Sequence, residues 1–311
     1  MNNERDVATK SPGLLISIFK GVKANLGAKM VLGIVSAAPI AFATVAAEAA
    51  QVQLNPSSPK LGDTISVMVT PDNPSNAANL RVTSNGETYP IFQIAPNQYR
   101  AFIPTTPLQK YGRKVIQVSG DGTTRNLAVW VNNRTFPTQR ITLRGGKGGL
   151  KATQYELDRV KAFKALVTPQ KYWNGFFQRP NNSRISTIYG VRRYYNGKFA
   201  NDYYHRGVDY AGGYGSPVVA PAGGRVALVG TVSQGFNVHG NVVGIDHGQG
   251  VTSIFMHLNR INVKEGEMVK PGQLIGGIGS TGASTGPHLH WGVYVNGQAV
   301  DPVPWRYNAI K

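Results

Sequence analysis

From about residue 51 onward, the chain runs in short stretches where apolar and polar residues alternate, broken by Gly, Pro or Asn. Thr64-Ile65-Ser66-Val67-Met68-Val69 and Asn126-Leu127-Ala128-Val129-Trp130-Val131 repeat with period two, the spacing of a strand with one buried face. Asn85-Gly86 and Asp121-Gly122 stand between such runs as turns. Roughly seven short strands fit between residues 51 and 131, which predicts a small antiparallel sandwich of immunoglobulin-like type. Further on, Thr153 with Glu156 makes a capping box. Leu157, Val160, Phe163, Ala165 and Leu166 then follow helical spacing, so one helix of about four turns is expected before Pro169, its apolar stripe packing against a domain. After Leu166 the helical period disappears. Runs such as Gly224-Arg225-Val226-Ala227-Leu228-Val229 and Val251-Thr252-Ser253-Ile254-Phe255, set among glycine turns, predict an all-β unit of antiparallel hairpins.

These patterns divide the 311 residues into a leader (1–49), a sandwich (50–135), a basic linker with its helix (136–184) and a C-terminal β unit (185–311). In the leader, Lys20, Lys23 and Lys29 precede an apolar run over 30–45, and Ala47-Glu48-Ala49 fits a small-residue cleavage site. That run holds Pro39 and is short against the roughly 20 residues of a membrane span. Export to a periplasm, cell envelope or medium is therefore expected, or an inner-membrane anchor if the segment is retained. There is no cysteine, which excludes disulfides, thiolate metal sites and thiol nucleophiles. Any metal or acid–base chemistry must use His, Asp and Glu. The formal net charge is +18, and it is uneven. Residues 136–200 hold 13 basic residues against 2 acidic, whereas 201–311 hold 7 against 6. A sequence-reading nucleic-acid module would carry such charge on its recognition element. A collar beside a nearly neutral unit fits anionic polymers of the cell envelope better.

All six histidines lie between residues 205 and 290. His205 and Asp209 are four apart, which on a straight strand means about 13 Å. Gly207 between them permits the bend that would bring both to one ion. His288 and His290, in Gly286-Pro287-His288-Leu289-His290, would share a strand face about 6–7 Å apart. His257 closes an apolar run, and His239 and His247 read as structural or exposed, His247 in a hairpin turn. Glu265 and Glu267 lie in a turn-like stretch, and no His-Glu-x-x-His pattern occurs.

Taken in order, His205-x-x-x-Asp209, Phe255-Met256-His257-Leu258 and Gly282-Ala283-Ser284-Thr285-Gly286-Pro287-His288-Leu289-His290 resemble the LytM/lysostaphin-type zinc peptidases of bacterial cell walls. Gly215-Ser216-Pro217-Val218-Val219-Ala220-Pro221 and Val269-Lys270-Pro271-Gly272-Gln273 match as well, and the resemblance runs over 185–311. It implies a mainly β peptidase domain with an antiparallel sheet, and Zn2+ held by His205, Asp209 and His290. It also implies His257 and His288 as catalytic histidines, and peptide cross-links of peptidoglycan as the substrate. Three protein ligands would leave the fourth zinc position to water. Phe255 stands where such enzymes often carry Tyr. Two other classes share parts of the pattern. A non-catalytic LytM-type regulator, which binds wall or activates an amidase, would keep the fold and do no chemistry. A biotinyl- or lipoyl-type carrier would resemble the stretch 263–273, but it presents a modifiable Lys, commonly after Met, and the C-terminal unit has no Met-Lys pair.

Overall fold

In the first part of the chain eight strands follow one another: β1 (Gln51–Asn55), β2 (Thr64–Thr70), β3 (Arg81–Ser84), β4 (Glu87–Tyr89), β5 (Ile91–Ala95), β6 (Gln98–Pro104), β7 (Gly112–Ser119) and β8 (Thr124–Val131). The computed structural model describes residues 50–120, 122–142 and 150–307. The leader, Asp121 of the second expected turn and the glycine-rich stretch 144–149 lie outside the described residues. The strands make two four-stranded antiparallel sheets, ordered β1-β2-β6-β5 and β4-β3-β7-β8. The two period-two runs are β2 and β8, and their inward residues Ile65, Val67, Val129 and Val131 join one apolar core with Val82 and Ile116 of the other strands. Asn85 (φ 53°) and Gly86 (φ 79°) form the turn between β3 and β4, both in the left-handed conformation that a tight two-residue hairpin demands.

The remainder comprises β9 (Thr138–Ile141), α1 (Gln154–Lys164), β10 (Ile185–Thr187), β11 (Arg192–Tyr195), β12 (Lys198–Phe199), β13 (Val208–Tyr210), β14 (Pro217–Val219), β15 (Gly224–Gly230), β16 (Asn241–Gly248), β17 (Val251–Ile261), β18 (Met268–Val269), β19 (Leu274–Ile278), β20 (Leu289–Val295) and β21 (Gln298–Val300). A ten-stranded sheet follows the path β10-β13-β20-β17-β16-β15-β18, with β21 on β20 and with β19 joined to both β17 and β14. Its strands pair antiparallel, as the hairpin pattern predicts. β9 pairs parallel with β11, and β12 completes a three-stranded sheet beside them.

The helix is shorter than its apolar spacing suggests. It spans 11 residues and stops at Lys164, because Thr168 is drawn into the body of the sheet. Its Oγ1 donates to Asp246 Oδ2 at 2.5 Å, and Pro169 disfavours a helical backbone at the residue before it. Val160 and Phe163 bury against Leu228, Phe236, Val242 and Ile254, so the stripe does pack on the sheet, whereas Leu157 stays exposed. Only half of the capping box forms. Thr153 Oγ1 accepts from Glu156 N at 3.0 Å, but the Glu156 carboxylate turns away to the 237–239 segment.

The expected linker is bonded into the C-terminal sheet along much of its length. Tyr172 N donates to His247 O (2.9 Å), Phe177 N to Trp305 O (2.9 Å) and Gln178 N to Pro221 O (2.8 Å). The sandwich docks near the far end of β20. Asn296 Nδ2 donates to Phe102 O (2.8 Å), Asp301 N to Gly62 O (2.8 Å), and Arg134 pairs with Asp301 at 2.7 Å. Asn296 is six residues beyond His290, about 20 Å along an extended strand. Within this contact the Arg100 guanidinium is buried, lies 4.5 Å from the centre of the Phe102 ring and donates to Gln249 Oε1. Burial lowers its pKa to about 10, so it stays charged at neutral pH.

The Phe163 ring faces Gly244, where an added Cβ would meet it at 2.7 Å. Phe163→Ala therefore opens a cavity between helix and sheet, and is expected to lower the unfolding free energy by about 3–5 kcal/mol in urea titrations followed by circular dichroism.

Candidate metal centre

Asp209 and His290 are direct partners in the antiparallel pairing of β13 with β20, so their side chains leave the sheet on one face. His205 reaches them by a bend of the chain just before β13. At Gly207 an added Cβ would lie 2.3 Å from Trp291 O and 2.8 Å from His290 Nε2. Glycine is needed there for close approach to β20, which is how the bend expected from the sequence is realised. The result is a triangle: His205 Nε2 lies 3.0 Å from Asp209 Oδ1 and 3.0 Å from His290 Nδ1, which lies 2.9 Å from the same oxygen. His205, Asp209 and His290 are all buried.

These three donors suit a divalent ion. With bonds of about 2.0–2.1 Å, the ligand atoms of a tetrahedral zinc lie about 3.3 Å apart. The observed triangle is within a few tenths of an ångström of that spacing. His205 Nδ1 stands 2.8 Å from Ile188 O, so its proton is engaged there and Nε2 is left with a lone pair toward the triangle. Burial alone would raise the Asp209 pKa, but the flanking His205 and His290 hold it well below the ordinary carboxylate range. Burial lowers His290 to about 4, which keeps it in the neutral form that binds metal.

His257 and His288 stand beside this triangle. Their ring centres are 4.8 Å apart, and His288 Nε2 is 4.0 Å from Asp209 Oδ1. His288 precedes β20, where an isolated bridge pairs it with Gly279. Its Nδ1 lies 2.9 Å from Gly286 O and 3.2 Å from Ser284 Oγ. His257 sits in a β-bulge. Val243 pairs with Phe255 but Asn241 pairs with Leu258, so β17 has one residue more than β16 over this step. Its φ of 65° is left-handed, a conformation that a non-glycine residue keeps only when its surroundings impose it. His239 O accepts from His257 N at 3.0 Å, and Thr281 O lies 2.8 Å from His257 Nδ1. Each ring thus has Nδ1 turned to a carbonyl, and Nε2 is the nitrogen without a hydrogen bond among the described residues. Burial, followed by the neighbouring His288 and His290, pushes His257 down to about 3.

All five residues singled out in the sequence therefore converge. Among the described residues, His205, Asp209 and His290 form a group of His and Asp side chains able to hold a metal ion. Residues 203–302 match the model of peptidase family M23. They form a peptidase family M23 domain. An uncharacterized metalloprotease of Haemophilus influenzae is 32% identical over 170 residues, which is 51% of this chain and 34% of that protein. The peptidoglycan DD-endopeptidase ShyC of Vibrio cholerae is 46% identical over 98 residues, 32% of this chain and 22% of ShyC. The chain thus matches about a third or less of these relatives' own length. The crystal structure of a Pseudomonas aeruginosa protein assigned to peptidase M23 aligns with a TM-score of 0.59 at 26% identity, covering 82% of this chain and 97% of that one. The fold likeness extends well beyond the M23 domain.

The other two histidines are placed differently from each other. His247 is the next-to-last residue of β16 and is wholly buried, with Nδ1 2.8 Å from Gly223 O and Nε2 2.8 Å from Ser253 Oγ, so its role is structural and the turn follows the strand. His239 is partly buried, its Nδ1 2.6 Å from Glu156 Oε1. Among the contributors to the site that escape sequence reasoning are Ile188, Thr281 and Ser284. The first two act through backbone carbonyls, which leave no mark on residue type. Ser284 stands in the Gly282–Pro287 stretch, where spacing alone gives no sign that it meets His288.

Gly207→Ala is expected to weaken metal binding by about 10–100-fold, by displacing His290 from the triangle. Asp209→Ala should abolish it. Titration of the metal-stripped full chain with zinc, followed by calorimetry, measures both effects.

Proposed function

We propose that the chain is a zinc-dependent endopeptidase that hydrolyses peptide cross-links in bacterial peptidoglycan. The observation that carries this reading is the pairing of a three-donor triangle with two imidazoles whose Nε2 atoms are free beside it. A family M23 match and a relative that is a peptidoglycan DD-endopeptidase support it. Zinc held by His205, Asp209 and His290 would supply Lewis acidity for water and for the scissile carbonyl. Asp209 brings the negative charge that balances such an ion, and the Ile188 carbonyl fixes the ring of His205.

His257 and His288 supply the proton chemistry. One Nε2 takes the proton of the attacking water and passes it to the leaving nitrogen as the C–N bond breaks. The other, once its ring carries a proton on both nitrogens, donates from Nε2 to the carbonyl oxygen as negative charge develops there. The Thr281 and Gly286 carbonyls hold both Nδ1 atoms, so neither ring needs to turn during the reaction. In this reading residues 185–311 are the catalytic domain and 136–184 a basic connector. The chain is exported to the envelope, where the 136–200 segment holds it near anionic polymers in a salt-sensitive way. The sandwich is read as immunoglobulin-like because its two sheets, relabelled A to G with C′, run A-B-E-D and C′-C-F-G.

Mass spectrometry of soluble fragments released from purified peptidoglycan by the full chain tests the proposal. Zinc-dependent cleavage within cross-links is expected, with none from His290→Ala. His257→Ala and His288→Ala should each keep one zinc per chain and lose about 10²–10⁴-fold in rate. Intact peptidoglycan from a zinc-loaded wild-type chain would overturn the endopeptidase reading in favour of a wall-binding or amidase-activating protein.

A further inference from the structure

Glu156 lies on α1, outside the 203–302 stretch that matches the peptidase family, yet its side chain is fully buried. A carboxylate in that position needs donors on all sides. It has four. Asn237 N donates to Oε2 at 3.0 Å, Val238 N and His239 N donate to Oε1 at 3.0 and 2.7 Å, and the His239 ring approaches Oε1 at 2.6 Å. Three successive backbone amides around one anion fix the course of that segment.

The other side of the segment is the catalytic centre. His239 O accepts from the backbone N of His257, and Val238 O accepts from Ala283 N at 3.0 Å. Next along the chain, an added Cβ on Gly240 would stand 2.5 Å from Thr281 O, the atom that holds His257 Nδ1. Asn241 N donates to Thr281 Oγ1 at 3.0 Å, which ties the same two loops again. Both groups that orient His257, the carbonyls of His239 and Thr281, therefore rest on the strap that Glu156 grips. The left-handed backbone of His257 needs such an external hold.

We propose that Glu156 is a positioning residue for the catalytic centre, holding the 237–239 strap so that the strap keeps His257 in its bulged, left-handed conformation. Its functional consequence rests on the peptidase reading above; the structural coupling does not. The metal triangle takes its support from Ile188 and from the β13–β20 pairing, so the proposal separates Glu156 from metal binding.

The test compares the full-length wild type with Glu156→Gln, which keeps the shape but turns an amide against the strap's own N–H groups. Hydrogen exchange at the His257 amide is expected to quicken by about 10–100-fold, the factor for losing one charge-assisted hydrogen bond. Zinc should stay at one per chain. kcat for cross-link cleavage should fall by a similar factor at nearly unchanged KM. In a His257→Ala background the further loss from Glu156→Gln should vanish, whereas a merely structural role would lower both backgrounds alike. His239→Ala, which removes only the ring donor, should move exchange at His257 in the same direction by less, and stands in if Glu156→Gln fails to fold. Unchanged exchange at His257 in these variants, or loss of zinc along with activity, overturns the proposal. A wild-type chain that leaves peptidoglycan intact counts against the peptidase reading alone, and the exchange measurement still decides the coupling.

Discussion

A carboxylate removed from water needs a partner for its charge, and at Asp209 two imidazole nitrogens brought in by different parts of the chain stand within 3.0 Å of one oxygen, a donor set that a cation would complete. One is its cross-strand partner on β20; the other comes from four residues upstream, by way of a glycine that lets β13 press against the Trp291 backbone. Either approach alone would leave the donor set incomplete. Together they account for why so short a strand as β13 lies next to a strand buried along its whole length, and why the 188–205 segment returns to cover His205.

The second half of the site follows a different rule. His257 and His288 are oriented by neutral carbonyls, so their rings are fixed without being forced into the charged form. A carbonyl can do this only if the loop that bears it is itself rigid. The 237–241 and 279–288 loops meet this condition by interlocking: Gly240 and Gly282 pass so close that neither has room for a side chain. Two kinds of support thus meet in one place, strand pairing and close approach for the candidate metal ligands and backbone carbonyls for the two histidines beside them.

Much of this was legible in the residues. Period-two runs marked β2 and β8, and spacing marked His205 with Asp209 and His288 with His290, whereas His257 was marked only by the family resemblance. What resisted reading was whatever acts through the backbone. The bulge at His257 depends on a one-residue difference between two strands, and nothing in Phe255-Met256-His257-Leu258 records the partner's count. Glu156 shows a subtler limit. Its position three residues after Thr153 fits a local capping box, but three backbone amides and an imidazole from more than 80 residues away offered the carboxylate more than one local N–H could. The helix end was displaced for the same reason, since Thr168 found its partner in Asp246.

The grip of α1 on the segment behind the histidine cluster has a consequence for how such chains can be cut and joined. The stretch recognisable by family likeness carries all five converging side chains, but the anion beneath its 237–239 strap is contributed from before its first residue. A chimera spliced at the recognisable boundary would inherit the histidines and Asp209 while leaving three inward-facing amides to whatever sequence the new host supplied. The smallest transplantable piece therefore begins at Thr153, and natural recombination between such proteins would be constrained to carry the helix along with the sheet.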